Sequence, residues 1–291
     1  METQPNDKQG NGQLFIVATP IGNLADITFR AVEILKSVAL IAAEDTRVSR
    51  RLCEHYAIST PLLACHEHNE ETRAGQLLET IRSGSDIALI SDAGTPLIND
   101  PGYRLVHRLR KEGIKVTPIP GACSPIAALC ASGLPTDSFC YDGFLTRSGK
   151  GRSRQIELIA GAQNTHILLE SPHRLLKTLA ELRRICGDER QACVAREITK
   201  MYETFVCGNL KEIDETMSKG TIRGEIVLLI GPQTDEREVS DEQIVAALAD
   251  KGGSDLSPSA LAKDIAKCLG VSRSRVYDLM IHQTRPVRPE P

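Results

Sequence analysis

The sequence predicts an α/β protein built from two α/β domains and a small C-terminal helical domain. From Leu14 to about Ser132, short apolar runs alternate with helical patterns, as a mostly parallel sheet requires. After a candidate hinge at 133–136, strand-like runs follow one another with fewer helices between them, which indicates antiparallel pairs in a mixed sheet. From residue 233 onward only helical patterns remain. We therefore expect a polar, disordered tail over 1–13, domains over 14–132 and 133–232, and a linker with a helical domain over 233–291.

In the first domain, each predicted strand is a short apolar run bounded by turn residues, a pattern typical of strands that are covered on both faces. A helix stripe runs from Phe29 to Val38, and a second helix starts near Asn69. Asp100-Pro101 and Ser124-Pro125 have the chemistry of helix starts. The strands that these features separate are Leu14–Ala18, Ile87–Ile90 and Lys115–Ile119.

In the second domain the strand-like runs dominate, and helical patterns are expected after Ser171-Pro172 and over Asn209–Ser218. The predicted strands are Phe139–Phe144, Thr165–Glu170, Ala192–Ile198, Tyr202–Cys207 and Glu225–Ile230.

The C-terminal segment contains two helical stretches, Leu256–Leu269 and Ser272–His282, joined by a short turn. This pattern resembles a helix-turn-helix, and basic side chains such as Arg273 and Arg275 suit contact with nucleic acid. A helical hairpin that only packs against the body of the protein is an equal alternative.

Four glycine- or proline-marked loops follow predicted strands, and the most informative is Ser91–Asp100. Such loops lie at the carboxyl ends of strands, where open α/β sheets bind ligands. Asp92, Gly94 and Thr95 offer hydrogen-bonding groups and close backbone approach. Neither the nucleoside-triphosphate P-loop nor the dinucleotide fingerprint is present, so we expect a less phosphorylated ligand.

The composition is that of a globular protein with a formal net charge of −3, so the whole molecule does not attract nucleic acid strongly. Local basic clusters make a large anionic partner plausible, although the one between Arg147 and Arg154 is typical of a solvated loop. Nine cysteines without a CxxC pair predict reduced thiols in a cytosolic protein, and no apolar run is long enough for a membrane span.

His66-Glu67-His68 is the one pattern that suggests a metal. On a strand, both imidazoles face the same side, but Cys65 then faces the other side. Two ligands do not make a structural zinc site, so we expect no metal there.

Six ordered motifs together closely resemble the bacterial small-subunit ribosomal RNA (cytidine-2'-O)-methyltransferase family of the tetrapyrrole-methylase superfamily. The resemblance spans about Leu14 to Pro232 and continues toward the helical tail. The motifs are Ala18–Leu24, Ala43–Arg47, His66–Glu70, Ser91–Asp100, Glu170–Arg174 and Arg196-Glu197.

The resemblance implies an enzyme, usually a homodimer, that uses S-adenosyl-L-methionine bound in the cleft between two α/β domains. It also implies methylation of the ribose 2'-oxygen of a decoding-centre cytidine in 16S rRNA, within the small ribosomal subunit. The residues that it assigns to the cofactor are Pro20, Asp92, Gly94, Thr95, Ile98, Gly121, Ala122 and Leu169.

A ribose hydroxyl is a weak acid, so a general base or a stabilising cation helps its attack on a methyl group. The candidate bases are Asp45, Glu170 and Glu197, each of which can equally be an ion-pair partner or a helix cap. Arg47, Arg174 and Arg196 are candidate electrostatic partners. The residues that we expect to contact RNA are Arg47, Arg147, Lys150, Arg152, Arg154, Arg174, Arg273 and Arg275.

Two other functions fit the same sequence. One is a methyltransferase that acts on a corrin or other tetrapyrrole precursor. The other is a non-catalytic RNA-binding assembly factor that has kept the fold and lost the chemistry.

Overall fold

The computed structural model describes residues 11–233, 241–251, 257–269 and 271–284. The chain forms two compact units, Met1–Gln233 and Thr234–Pro291. The second unit begins one residue after the predicted start of the helical domain. No helix in the described ranges is both long and apolar enough to cross a membrane.

The first sheet of the larger unit has five parallel strands in the order β3-β2-β4-β1-β5. Each strand is followed by a helix, which is why neighbouring strands run in the same direction. The strands are β1 (Leu14–Val17), β2 (Leu40–Ala43), β3 (Leu62–Ala64), β4 (Ile87–Ile90) and β5 (Val116–Ile119). The helices are α1 (Phe29–Ser37), α2 (Thr46–His55), α3 (Glu70–Arg82), α4 (Tyr103–Lys111) and α5 (Ser124–Ala131).

The second sheet is mixed, as the sequence predicted. Its strands are β6 (Phe139–Phe144), β7 (Thr165–Glu170), β8 (Gln191–Arg196), β9 (Thr204–Asn209) and β10 (Ile226–Ile230). They lie in the order β6-β7-β10-β8-β9, with β6 and β7 parallel and the other neighbours antiparallel. The helices are α6 (Gly149–Ala160), α7 (Leu175–Cys186) and α8 (Leu210–Met217).

Alternate residues of the second sheet serve two different cores. On one face, residues such as Leu168 and Leu228 pack with α6, α7 and α8. On the other face, Ile167 and Leu229 pack with Ala128 and Leu129 of α5. Helix α5 therefore connects the two sheets into one unit, and it ends close to the predicted boundary between residues 132 and 133.

The described residues of the second unit form three helices, α9 (Asp241–Lys251), α10 (Pro258–Leu269) and α11 (Arg273–Thr284). Ile244, Leu261, Ile265 and Val276 form its core. The sequence prediction found the last two helices and missed α9. Part of the predicted stretch Leu256–Leu269, and the glycine of the predicted turn, lie outside the described residues.

Three local predictions were wrong. Helix α4 begins at Tyr103, because Gly102 with φ 126° takes the cap position that was assigned to Asp100. The basic run near Lys150 forms the first turns of α6 and is not a loop. The predicted disordered tail lies mostly outside the described residues, but its last residues are ordered, since the Gly12 N–H donates to the Ile81 carbonyl at 2.8 Å.

Candidate active site

A cavity of about 280 Å³ lies between the two sheets, where the carboxyl ends of β4, β5 and β7 meet. This first cavity is lined from the first sheet by Ile21, Ala93–Thr95, Ile98–Asp100 and Cys123–Pro125. From the second sheet and its loops it is lined by Phe144, Leu169, Glu170, Ile198 and Glu225–Val227. Both halves of the larger unit are therefore needed to form it.

Close backbone approach shapes one wall of the first cavity. Gly94 has φ 82° and exchanges backbone hydrogen bonds of 2.9 and 3.1 Å with Thr19. A Cβ at Gly94 would lie 3.1 Å from Ile21 Cγ2, and one at Gly121 would lie 2.9 Å from Ala18 Cβ. Side chains at these positions would crowd the loops, so glycine is required.

The loop after β4 is conformationally strained. Leu97 and Asn99 have φ values of 72° and 70°, in the left-handed region that non-glycine residues rarely adopt. Such strain concentrates at functional sites, where the surrounding structure maintains it. In this loop it accompanies the placement of Ile98, Asn99 and Asp100 on the cavity wall.

Three carboxyl groups at the ends of β2 and β4 have raised pKa values. Burial is the main cause of the raised pKa of Asp92, and the nearby Asp45 carboxylate raises it further. Burial is also the main cause for Asp100, whose pKa the Asp92 carboxylate raises further. For Glu44, burial raises the pKa first, followed by repulsion from Asp100 and Asp92. A carboxylate with a raised pKa is a better proton acceptor than an ordinary one.

Tyr141 carries a buried hydroxyl that has no hydrogen-bond partner within the described part of the chain. Burial, with smaller contributions from Cys123 and Asp100, raises the pKa of Tyr141 to about 12. Both of these neighbours line the first cavity. Tyr141 itself is not among the residues that line that cavity.

A second cavity of about 460 Å³ adjoins the first and shares Ile21, Ala93 and Glu225 with it. Pro20 and Asp92, which the resemblance assigns to the cofactor, line this second cavity and not the first. The other lining residues are Thr19, Gly22, Leu24, Val48, Ser49, Arg51, Leu52, Ser91 and Lys200.

The other cofactor candidates lie at or directly behind the first cavity. Gly94, Thr95, Ile98 and Leu169 line it. Gly121 and Ala122 stand behind the wall, where the Thr95 hydroxyl donates to the Ala122 carbonyl at 2.9 Å and joins two loops.

Two of the three candidate bases are held in the ionised state by cations. Asp45 caps α2 by accepting from the Arg47 backbone N–H, and its side chain pairs with the Arg47 guanidinium at 2.6 Å, so its pKa falls to about 2. The ammonium of Lys200 lies 2.9 Å from Glu197 and lowers the pKa of that carboxyl. Both groups are weak proton acceptors near neutral pH.

The third candidate base, Glu170, is buried and hydrogen-bonded. It accepts from the Ser171 N–H at 2.8 Å and from the Thr178 hydroxyl at 2.6 Å, and Arg174 Nε lies 3.4 Å away. It lines the first cavity. This arrangement suits a residue that holds the cavity wall in position.

The residues predicted to contact RNA differ in how exposed they are and in whether they already bind another protein group. Arg152, which was predicted to contact RNA, is not accessible to it, because its side chain is only 5% exposed and pairs with Glu181 at 2.6 Å. The Arg174 guanidinium donates to the Leu145 carbonyl, and Arg275 pairs with Asp241. The exposed members of the set are Arg47, Arg147, Lys150, Arg154, Arg273 and Arg275, of which Arg47 and Arg275 are ion-paired.

The expectation for His66-Glu67-His68 assumed a strand, but β3 ends at Ala64 and these residues form the turn before α3. There the His66 backbone N–H donates to Asn69 Oδ1 at 2.9 Å. Among the described residues, three metal-ligand side chains come together only at Cys140, Asp142 and His166. All nine cysteines are free thiols.

The sequence analysis assigned no role to several residues that the fold brings to the two cavities. Glu44 and Asp100 lay within motifs that it singled out, so their proximity to Asp92 was the available signal. Ser49 and Glu225 lie outside those motifs, so their place at the cavities was not detectable before the fold was known.

The chemistry of the first cavity suits S-adenosyl-L-methionine. Ile21, Ile98 and Leu169 provide apolar surface, and the carboxyl groups of Asp100 and Glu225 complement a cationic sulfonium and ammonium. Gly94 and Gly121 let Ile21 and Ala18 pack closely against the loops that form the cavity wall.

The family described as Tetrapyrrole (Corrin/Porphyrin) Methylases matches residues 13–214. The chain is 46% identical over 270 residues to "Ribosomal RNA small subunit methyltransferase I" of Haemophilus influenzae, which covers 91% of this chain and 95% of the relative. It is 43% identical over 291 residues to the protein of the same name from Escherichia coli O157:H7, with 97% and 99% covered.

A crystal structure of uroporphyrin-III C-methyltransferase from Thermus thermophilus, complexed with S-adenosyl homocysteine, has the same fold. The TM-score is 0.53 at 20% identity, with 76% of this chain and 97% of that chain covered. The chain therefore belongs to the ribosomal RNA small subunit methyltransferase I family, within the tetrapyrrole methylases.

Proposed function

We propose that the protein transfers a methyl group from S-adenosyl-L-methionine to the ribose 2'-oxygen of a decoding-centre cytidine in 16S rRNA. The relatives that cover almost the whole chain are named as ribosomal RNA small subunit methyltransferases, which supports an rRNA substrate. The observation that carries the proposal is the pair of adjoining cavities, since group transfer between two ligands requires two sites that share a wall.

In this proposal the first cavity holds the cofactor. Gly94, Thr95, Ile98 and Leu169 contact it, and Gly121 and Ala122 support the loop behind it. When bound, the cofactor supplies a methyl group that is already activated on sulfur, so the protein needs neither a nucleophile of its own nor a metal. The task of the protein is to align the acceptor oxygen and to exclude water.

Asp92 is the proposed acceptor of the hydroxyl proton. Burial raises the pKa of Asp92, and its carboxyl group lies on the wall of the second cavity. The Asp45 backbone N–H donates to Asp92 Oδ1 at 3.0 Å and fixes its orientation. The three candidate bases predicted from the sequence become positioning residues in this proposal. Asp45 positions Asp92, Glu170 positions the cavity wall, and Glu197 positions Lys200.

Exposed basic side chains are proposed to track the RNA phosphates, and this set no longer contains Arg152. The set consists of Arg147, Lys150, Arg154 and Arg273. Arg47, Arg174 and Arg275 remain secondary candidates because each already forms an ion pair, with Asp45, Glu170 and Asp241 respectively. We further propose that the enzyme acts as a cytoplasmic homodimer on the small subunit.

The test is methyl transfer from tritiated S-adenosyl-L-methionine to small ribosomal subunits from a strain that lacks the enzyme. Label in 16S rRNA is the expected result, and Asp92→Asn should remove it while Asp86→Asn, a control outside both cavities, should not. Transfer to a tetrapyrrole without RNA would favour the corrin alternative. Binding of RNA and cofactor without any transfer would favour an assembly factor.

A further inference from the structure

Ser49 of α2 carries a hydroxyl that the fold leaves unused. The residue is 3% exposed, and its Oγ has no hydrogen-bond partner among the residues that the structure describes. A buried hydroxyl without a partner costs free energy, so such a group in a folded protein needs an explanation. Ser49 also lines the second cavity, so a ligand there can provide the partner.

The neighbouring hydroxyls on the same wall are satisfied within the protein. Thr19 Oγ1 donates to the Ser91 carbonyl at 3.2 Å, and Ser91 Oγ donates to the Ala93 carbonyl at 3.4 Å. Both therefore serve to hold the loops together. Ser49 differs from them, because no contact within the loops uses its hydroxyl.

The polar groups around Ser49 define the class of ligand. Asp92 lines the same cavity and offers a hydrogen-bond acceptor, whereas Arg51 offers a cation for which the described residues provide no ion-pair partner. Lys200 also lines the cavity, but its ammonium is shared between Glu197 at 2.9 Å and Glu225 at 3.2 Å. A ligand that matches this set carries hydroxyl groups next to an anionic group.

Gly22 gives room to the Lys200 side chain on the wall of this cavity. A Cβ at Gly22 would lie 2.5 Å from Lys200 Cγ, so the lysine stem passes directly over this glycine. Pro20 and Leu24 provide apolar surface beside it, which suits the carbon face of a sugar ring.

We propose that the second cavity binds the ribose and adjacent phosphate of the acceptor nucleotide, with the Ser49 hydroxyl hydrogen-bonded to the ribose. Arg51 lies on the phosphate side. This inference rests on the proposed function and specifies where its acceptor binds.

The test is Ser49→Ala, measured for methyl transfer to small ribosomal subunits, for thermal stability and for binding of S-adenosylhomocysteine by calorimetry. We expect the KM for subunits to rise about fivefold, as for the loss of one neutral hydrogen bond. We expect kcat and the Kd for S-adenosylhomocysteine to stay within twofold. The melting temperature should stay the same or rise, because the substitution removes an unsatisfied buried group.

Two further variants distinguish this role from a structural one. Ser49→Thr keeps the hydroxyl and should restore most of the KM. Ser132→Ala is the matched control, since that buried serine donates to the Leu129 carbonyl at 2.9 Å and lies on neither cavity. It should lower the melting temperature and leave the KM unchanged.

An unchanged KM in Ser49→Ala would overturn the inference and leave the proposed function intact. Weaker binding of S-adenosylhomocysteine would also overturn it, because the second cavity would then belong to the cofactor. A wild-type protein that transfers no methyl group to subunits would remove both the inference and the proposed function.

Discussion

Replacement of Arg152 should destabilise the protein and leave its electrostatic affinity for RNA unchanged. Arg152 lies in a basic run, yet each nitrogen of its guanidinium has a protein partner: Nε pairs with Glu181 at 2.6 Å, Nη2 donates to Thr178 Oγ1 at 2.8 Å and Nη1 donates to the Thr146 carbonyl at 3.2 Å. The Thr178 hydroxyl in turn donates to Glu170 on the cavity wall.

The structure sets the size of the effect. Removing one partner of a buried pair costs about 3–5 kcal/mol, because the other charge remains without compensation. The Glu181 side chain is 28% exposed and Lys177 lies 4.0 Å from it, so Arg152→Ala should fall near the lower limit. For a unit of this size, about 3 kcal/mol corresponds to a decrease of about 6–12 °C in melting temperature.

The assay is thermal denaturation of Arg152→Ala beside Arg154→Ala, whose exposed side chain makes it the matched control. The control should melt within about 2 °C of wild type, as surface substitutions usually do. Below the melting transition, the salt dependence of RNA binding should be unchanged in Arg152→Ala. Equal melting temperatures for the two variants, or a reduced salt dependence in Arg152→Ala, would refute this reasoning.

Three further predictions concern the cavities and the basic surface. Gly94→Ala should weaken binding of S-adenosylhomocysteine at least tenfold, as measured by calorimetry. The control is Gly113→Ala, since Gly113 also has a positive φ but has no atoms around its Cβ position; this variant should only lower the free energy of unfolding by about 1–2 kcal/mol. Because burial raises the pKa of Asp100, the folded protein holds the Asp100 proton more tightly than the unfolded chain does. The free energy of unfolding therefore falls as the pH rises from the ordinary carboxyl pKa to the raised pKa of Asp100. Asp100→Asn should therefore raise the melting temperature at pH 7 but not near pH 3, and equal gains at both pH values would contradict this assignment. A triple variant with alanine at the exposed residues Arg147, Lys150 and Arg154 should reduce the slope of the logarithm of the RNA-binding constant against the logarithm of the salt concentration by about 2. Lys36→Ala should leave this slope unchanged. An unaltered slope in the triple variant would exclude phosphate contact at the three residues.

Eight of the ten strands were predicted from the sequence, whereas β2 and β3 were missed. The predicted bounds of β4, β6 and β7 agree with the structure. β4 is a continuous apolar run, and all four of its residues are buried because helices cover both faces of its sheet. The change from a parallel to a mixed sheet was also predictable, because it depends on whether a helix separates consecutive strands.

The helix start at α4 was not predictable from local chemistry. Asp100-Pro101 has the composition of a cap, but the chain uses Gly102 at φ 126° and places Asp100 at the cavity. For Arg152 the sequence did contain a pattern that indicates its burial on a helix. Ile156 and Ile159 follow it at helical spacing and are buried with it on the inner face of α6.

The candidate site was predictable in its location and not in its roles. Loops at the carboxyl ends of strands gave the position of the cleft, because parallel strands direct them to one edge. Roles depend on partners that meet only in three dimensions. Arg47 lowers the pKa of Asp45 to about 2, whereas burial raises the pKa of Asp92, so the better proton acceptor of the two could not be chosen from sequence.

The position of the transferred methyl group in the rRNA distinguishes methylation of a cytidine ribose from methylation of a base. After reaction with labelled cofactor, the decoding-centre fragment of 16S rRNA is isolated and hydrolysed with alkali, which cannot cleave the chain after a 2'-O-methylated ribose. The label is expected in one alkali-resistant dinucleotide that contains a methylated cytidine. Label on a base, or in fully cleaved mononucleotides, would contradict this expectation.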